Sequence, residues 1–319
     1  MSAIIDAIGI IGTILTTIGF ASDQIPGSSP NGAIFRVKVG HQESAEQNYG
    51  GRIARIMGYD TFNKVIGNAY PGKDISEGDF ADYGLDQSTG GIQTQYASFI
   101  GTNGAICVNW ITLKNTDGAA DAAWTGDIGK FCGHSWNFGN QQAGRNKDTG
   151  EPYNPACTWL DADHSNGIDT GAMKINFFAY AENLAEQTVD ANTACSNTIF
   201  AANAAEIDSV PSKKKRSMKD VKRAAWMDKR LLVSNFANDN ATELCNHEMS
   251  YGPDAVGSDG HFCDMATREL HPLCSSQDVH GCVNIDVQNN KITKRSTVAK
   301  RFVDLDYRSY DKLDLISAK

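Results

Sequence analysis

Nine consecutive residues hold the densest set of chemically capable groups in this 319-residue chain: Asp161-Ala162-Asp163-His164-Ser165-Asn166-Gly167-Ile168-Asp169. Carboxylates and a hydroxyl at alternate positions before a glycine are what a hard cation such as calcium requires. Asp161, Asp163, Ser165 and Asp169 are therefore the weak calcium candidates. The match to a calcium loop is incomplete: Asn166 stands where the turn glycine belongs, and Ala172 stands where a bidentate acid belongs. The competing reading is a turn in which Asx side chains take up backbone amides. The same stretch offers Asp161, Asp163 and His164 as a hydrolytic base set, but no G-x-S-x-G elbow accompanies them.

The second half interleaves thiols and imidazoles: Cys245 with His247, His261 with Cys263, His271 with Cys274, and His280 with Cys282. Both are zinc ligands, yet no C-x-x-C pair is present and no common zinc spacing is met. Two disulfides are the preferred reading. Glycine-rich phosphate loops are absent, and Tyr251 stands where a zincin would place its second histidine after His247-Glu248. No cofactor and no metal is favoured, and the chain is read as a non-enzyme.

The eight cysteines are Cys107, Cys132, Cys157, Cys195, Cys245, Cys263, Cys274 and Cys282. An even number in a glycine-rich chain indicates disulfides and an oxidising compartment. Four in each half suggest pairing within halves, with Cys132–Cys157 as one candidate pair. Asn240-Ala241-Thr242 is a lone glycosylation acceptor.

These groups need a scaffold, and the pattern is mostly that of strands. Glycine numbers 30 and proline 8, a composition rich in turns. Residues 33–39 alternate, with Phe35, Val37 and Val39 on one side and Ile34, Arg36 and Lys38 on the other. IQTQYASFI (92–100) and AICVNWITL (105–113) read as a hairpin around Gly101-Thr102-Asn103-Gly104. Further strands follow at 122–129, 157–162 and 172–180, and a helix is expected across 178–190.

The first segment is different. Ile4, Ile8, Ile11, Leu15 and Ile18 recur at helical spacing, and Ile5, Ile10 and Ile14 make that helix apolar nearly all round. Asp6 replaces the basic leader of a secretory signal, and the apolar run is short for a membrane span. The preferred reading is a helix buried against other copies of the chain. Membrane insertion is compatible but not favoured, and neither an intracellular storage body nor unconventional secretion is excluded. Residues 211–230 are strongly basic in a chain of net charge −9. They read as a solvated helix or loop with dibasic cleavage sites, and the acidic balance argues against a nucleic-acid partner.

The domain expectation follows: an apolar assembly helix at 1–22, a linker at 23–32, a β-sandwich at 33–200, a basic connection at 201–244, and a cysteine-rich segment at 245–319 packed on the sandwich. The fold class is α+β, dominated by an antiparallel β-sandwich.

Four pieces, AICVNWITL, AAWTGDIGKFCGHSWNF (122–138), YNPACTWLDADHSNGI (153–168) and SYGPDAVGSDGHFCDMATRELHPLC (250–274), resemble a fungal family of uncharacterised Cys/Trp/Asp-rich proteins. That family includes the abundant development-specific protein of sclerotia. The resemblance implies a storage or structural role in developmental tissue and carries no established catalytic residue. Together these readings point to a self-assembling homo-oligomer, with a secreted effector or membrane-inserting toxin, a hydrolase and a lectin-like module as rivals.

Overall fold

The structure is a computed structural model. It describes residues 18–20, 24–27, 32–41, 49–59, 65–87, 90, 92–115, 121–146, 149–165, 167–181, 194–195, 197–207, 227–235, 240–246, 253–298 and 301–316. These residues fall into two compact units, one up to residue 207 and one from residue 227.

The first unit is a β-sandwich, with strands numbered along the chain. One sheet runs β10 (Trp136–Asn137), β13 (Cys157–Leu160), β8 (Ile106–Lys114), β2 (Ile34–Val39), β5 (Phe80–Gly84), with β9 (Ala122–Thr125) also pairing β8. The other runs β15 (Thr198–Ala201), β14 (Ala172–Asn176), β7 (Tyr96–Gly101), β3 (Ile53–Tyr59), β4 (Val65–Ala69), β6 (Asp86–Gln87). A small third sheet joins β1 (Ile18–Phe20), β11 (Gly144–Asn146) and β12 (Pro152–Tyr153). All pairings in this unit are antiparallel.

The alternation in β2 decides which side of its sheet is the core. Phe35, Val37 and Val39 are wholly buried. Phe35 meets Phe99 of β7 edge-on, with ring centroids 5.4 Å apart, and Phe177 at the same distance. That aromatic group spans the two sheets. Trp124 of β9 adds a cross-layer hydrogen bond, its indole N–H donating to Thr198 Oγ1 at 3.2 Å.

The expected hairpin at Gly101–Gly104 is not a hairpin. β7 is paired by β3 and β14, and β8 by β2 on one side and β13 and β9 on the other. Neither strand has an edge to offer the other, so the link crosses from one layer to the next. Near-continuous burial along both strands is the mark of central strands covered on two faces. β8 and β9, by contrast, are consecutive strands that pair antiparallel.

The described helices are short: Asp127–Phe131 and Ala241–Asn246, with 3-10 turns such as Phe177–Tyr180. The described residues are thus mainly β, as the sandwich expectation has it, with helix limited to these short pieces. The helix expected at 178–190 is reduced to the end of that 3-10 turn, and residues 182–190 lie outside the described residues. Ile4, Ile8, Ile11 and Leu15 also lie outside them. Ile18 opens strand β1, in register with Asn146, so the apolar helix cannot run through Phe20. Ile18 and Phe20 are residue types favoured in strands, and Gly19 between them is costly in a helix. The expected linker is partly laid on the fold: Pro26 is buried, and Thr112 Oγ1 donates to the Gln24 carbonyl at 2.9 Å.

The second unit builds a mixed sheet ordered β19 (Glu269–Pro272), β18 (His261–Asp264), β17 (Asp254–Val256), β16 (Arg230–Ser234), β23 (Lys312–Ile316). β16 runs parallel to both neighbours. A meander of β20 (Val283–Asp286), β21 (Lys291–Val298) and β22 (Arg301–Ser309) shares its core, where Leu231, Val256 and Phe262 pack with Val283, Ile292 and Tyr310. Arg230 is buried at the start of β16, so the Lys229-Arg230 cleavage site expected from sequence is shielded. Residues 211–226 lie outside the described residues.

All eight cysteines are paired within their own unit: Cys107–Cys157, Cys132–Cys195, Cys245–Cys263 and Cys274–Cys282. The candidate pair Cys132–Cys157 is replaced. Cys157 lies on β13 beside β8, within reach of Cys107, whereas Cys132 ends the short helix and faces the segment before β15. Disulfides on this scale belong to an oxidising environment.

The Cys107–Cys157 bond closes a span of 50 residues, so replacing both cysteines by alanine is expected to lower stability by about 4 kcal/mol. Guanidinium unfolding followed by tryptophan emission checks this. A loss below about 1 kcal/mol would mean that strand pairing alone confines that loop.

Candidate functional site

One cleft of about 410 Å³ lies at an open edge of the sandwich. That size is within the range of small-molecule sites, roughly 300–1,000 Å³. It is formed where edge strand β5 of one sheet continues into edge strand β6 of the other. Leu85 between them is buried, and its amide donates to the Ala33 carbonyl at 2.9 Å. Gln87 Oε1 accepts from the Ala33 amide at 2.7 Å. The crossing is therefore anchored at both ends, and the walls beside it are held by backbone pairing.

Asn68, Tyr70, Asp82, Tyr83 and Asp86 line the cleft. Asp82 stands directly opposite Arg36 in the β2–β5 register. The guanidinium grips it with two hydrogen bonds of 2.7 Å and lies 4.2 Å from the Phe80 ring centroid. Such a two-pronged pair fixes direction as well as charge. Burial, then the neighbouring Asp82 carboxylate, raises the Tyr83 phenol above its ordinary value, so it remains a donor. Among the described residues, the polar ends of Asn68, Tyr70, Tyr83 and Asp86 take no hydrogen bond from the protein. Tyr70 is 71% exposed.

A second polar group is enclosed in the other unit. Asp254 and Asp264 are almost wholly buried. Arg308 on β22 donates through Nε and Nη2 to Asp264 at 3.0 and 2.9 Å and reaches Asp254 at 3.5 Å. Tyr310 and Tyr307 hydroxyls donate to Asp254 and Asp264 at 2.9 and 3.0 Å. Backbone amides of Met265, Ala266 and Thr267 complete the shell. Burial alone would raise the Asp264 carboxyl, but Arg308, Tyr307 and the amides outweigh it and hold it below the usual carboxylate range. Burial, then Asp264, pushes the Tyr307 phenol up to about 12. These carboxylates are engaged by the fold, which is a structural use of them.

The residues singled out from sequence are not gathered into a centre. Asp161 is buried while Asp163 is exposed, because β13 ends at Leu160 and the chain turns at 162–163. Asp163 Oδ1 accepts the Ser165 amide at 3.0 Å, an Asx turn, and Asp169 Oδ1 accepts the Thr170 hydroxyl at 3.3 Å. His164 takes a left-handed φ of 56° and sets Nδ1 2.6 Å from the Ile168 carbonyl. That imidazole nitrogen is thus committed to backbone. Among the described residues no three His, Cys, Asp or Glu side chains stand close enough to hold a metal ion. The zinc reading of the second half loses its thiolates, because all four cysteines there are in disulfides. His261 Nδ1 instead lies 2.9 Å from the Asp259 carbonyl, and His271 packs between Phe262 and Tyr307; His247 lies outside the described residues. Thr242 of the glycosylation acceptor gives its hydroxyl to Asp259 at 2.6 Å.

The cleft residues escaped the sequence reading, although a signal existed. Phe80, Asp82, Gly84 and Asp86 recur at every second position through FADYGLD, which places two carboxylates on one strand face. The Asp254, Asp264 and Arg308 set has no local signal, since its members are brought together only by sheet pairing.

No family model matches the chain, and no curated protein matches it. Among solved structures, a loop-replaced lipoxygenase (LOX) variant carrying a tryptophan substitution is similar at TM-score 0.23 and 12% identity, over 36% of this chain and 23% of its own. A variant with alanine at that place gives 0.22 and 11%, over 41% and 17%. The chain thus spans less than a quarter of either lipoxygenase, and a likeness at that score bears on neither fold nor function. No helix among the described residues is long and apolar enough to cross a membrane.

Removing the cation from the buried acidic pair leaves two carboxylates without their counter-charge. Arg308→Met is expected to destabilise the second unit by about 3 kcal/mol. Because the folded Asp264 value is depressed, its stabilising effect is complete above the ordinary carboxylate range, about pH 4, and fades as pH falls through the lower folded value. The penalty of Arg308→Met should therefore be full near neutral pH and shrink as pH falls and Asp264 protonates, read by urea unfolding at a series of pH values between about 2 and 7. A penalty that does not change with pH would refute this role for Arg308.

Proposed function

We propose that the chain is a non-enzymatic, self-associating protein with a storage or structural role in an oxidising compartment. The observation that carries this reading is the outer edge of β22. β22 ends its sheet with β21 on one side only. Phe302, Val303 and Leu305 on it are 56%, 41% and 51% exposed. A nine-residue edge presents a row of backbone donors and acceptors, which another strand can satisfy. Side chains of this size gain roughly 1.5–3 kcal/mol each when fully buried.

The disulfides support the same reading, since they let a protein persist outside the cell's reducing interior. The resemblance of 153–168 and 250–274 to the sclerotial family agrees with a developmental role in fungal tissue. Contact through residues 1–22 is a separate part of the proposal, and Ile4, Ile8, Ile11 and Leu15 are its residues.

Light scattering of the purified chain across a range of concentrations tests this. The native mass should exceed the 34.5 kDa of one chain. Val303→Lys with Leu305→Lys should bring it down, because edge lysines block strand addition. Deletion of residues 1–22 should lower it independently. A single-chain mass at every concentration, or a mass untouched by both changes, refutes the proposal.

A further inference from the structure

The cleft at the β5–β6 crossing has an aromatic and polar lining that the self-association reading does not use. We propose that it binds a neutral saccharide, such as one or two residues of a polysaccharide chain. This inference does not depend on whether the chain self-associates.

The chemistry of the lining selects the ligand class. A pyranose presents hydroxyls that both donate and accept around its rim, and C–H groups on its faces. The unpaired ends of Asn68, Tyr70, Tyr83 and Asp86 supply donors from a carboxamide and two phenols, and acceptors from a carboxamide and a carboxylate. Two tyrosine rings supply apolar faces with a polar tip, suited to a half-wet ligand.

Charge excludes the main alternatives. Asp82 and Asp86 oppose a phosphate or carboxylate ligand. Asp82 is already neutralised by Arg36 at 2.7 Å, so a metal ion would find one uncommitted carboxylate beside a fixed guanidinium, which is too little for a hard cation. The same guanidinium weakens the lining as a cage for an organic cation. A neutral, hydroxyl-rich molecule meets no opposing charge. The backbone tie at Leu85 keeps the walls in place before binding, which limits the entropy lost on association.

The test uses the full chain with insoluble chitin, cellulose, β-1,3-glucan and cross-linked dextran, measuring protein depleted from solution. Retention is expected on at least one, with release by the matching soluble oligosaccharide. Tyr70→Ala and Asp86→Asn each alter an exposed side chain and should leave the circular dichroism spectrum unchanged. Each should weaken retention about tenfold, the loss of one stacking or hydrogen-bonding contact. No retention on any of the four overturns the proposal. So does retention that both substitutions leave unchanged, or release by choline or spermidine but not by oligosaccharide, which would assign the cleft to an organic cation.

Discussion

Phe35, Phe99 and Phe177 are where the two layers of the sandwich meet, and the arrangement of the first unit depends on that contact. A sheet buries one face only if something apolar lies against it. Phe35 with Val37 and Val39 turns that face of β2 inward, and the rings from β7 and the turn after β14 meet it at 5.4 Å. Once those faces are joined, β8 and β7 become the covered centres of their sheets. The least covered strands are pushed to the rim. β5 and β6 are such strands, and the cleft is the space left where they change layer. The position of the site is thus a consequence of which residues fill the core.

The second unit is smaller and is held by different means. Two disulfides span 18 and 8 residues, each removing somewhat less entropy from the unfolded chain than the 50-residue Cys107–Cys157 closure, roughly 2–3 kcal/mol against about 4. The buried Asp254, Asp264 and Arg308 group does something an apolar core cannot. Replacing such a group with apolar side chains is often neutral or favourable for stability, so its value here is in specificity. Arg308 lies on β22 and its partners on β17 and β18. A shift of β22 by two residues would keep its inward face inward, yet would withdraw the cation from two carboxylates. The ion pair therefore fixes a register that hydrophobic pattern alone leaves open.

Much of this was legible in the sequence. The alternation of 33–39 and the strands expected at 105–113, 122–129, 157–162 and 172–180 follow from local pattern, although 127–129 belongs to the short helix and 177–180 to a 3-10 turn; the local pairing of the cysteines follows from their count. What escaped was non-local. Gly101-Thr102-Asn103-Gly104 has the composition of a hairpin turn, but a turn's residues do not say whether the flanking strands share a layer. That depends on how many faces each strand buries. Cys132 and Cys157 look adjacent along the chain, while β13 sets Cys157 beside Cys107, fifty residues away. The Asp161–Asp169 run looked like a site because its groups are dense in sequence. The chain turns there after β13 ends at Leu160, so Asp161 is buried while Asp163 meets solvent. Density along the chain was therefore a poor guide, and the cleft, assembled from 68–70 and 82–86, shows the reverse case.

The two open edges differ in a way that separates their proposed uses. Strand addition needs length, because each added pair of residues contributes backbone hydrogen bonds. β22 offers nine residues, of which Arg301–Asp306 run in unbroken register before a bulge at Tyr307. β5 offers five, β6 two, and the chain between them bends through buried Leu85. A strand could not follow that bend without losing its pairing. The bend does, however, create concavity, and concavity lets side chains from two strands approach one small molecule. The side chains agree with the geometry: exposed Phe302, Val303 and Leu305 line the straight edge, whereas tyrosines with carboxylates and a carboxamide surround the bent one. Edge shape and side-chain chemistry thus point the same way on each strand, which is why association is assigned to β22 and ligand binding to the β5–β6 crossing.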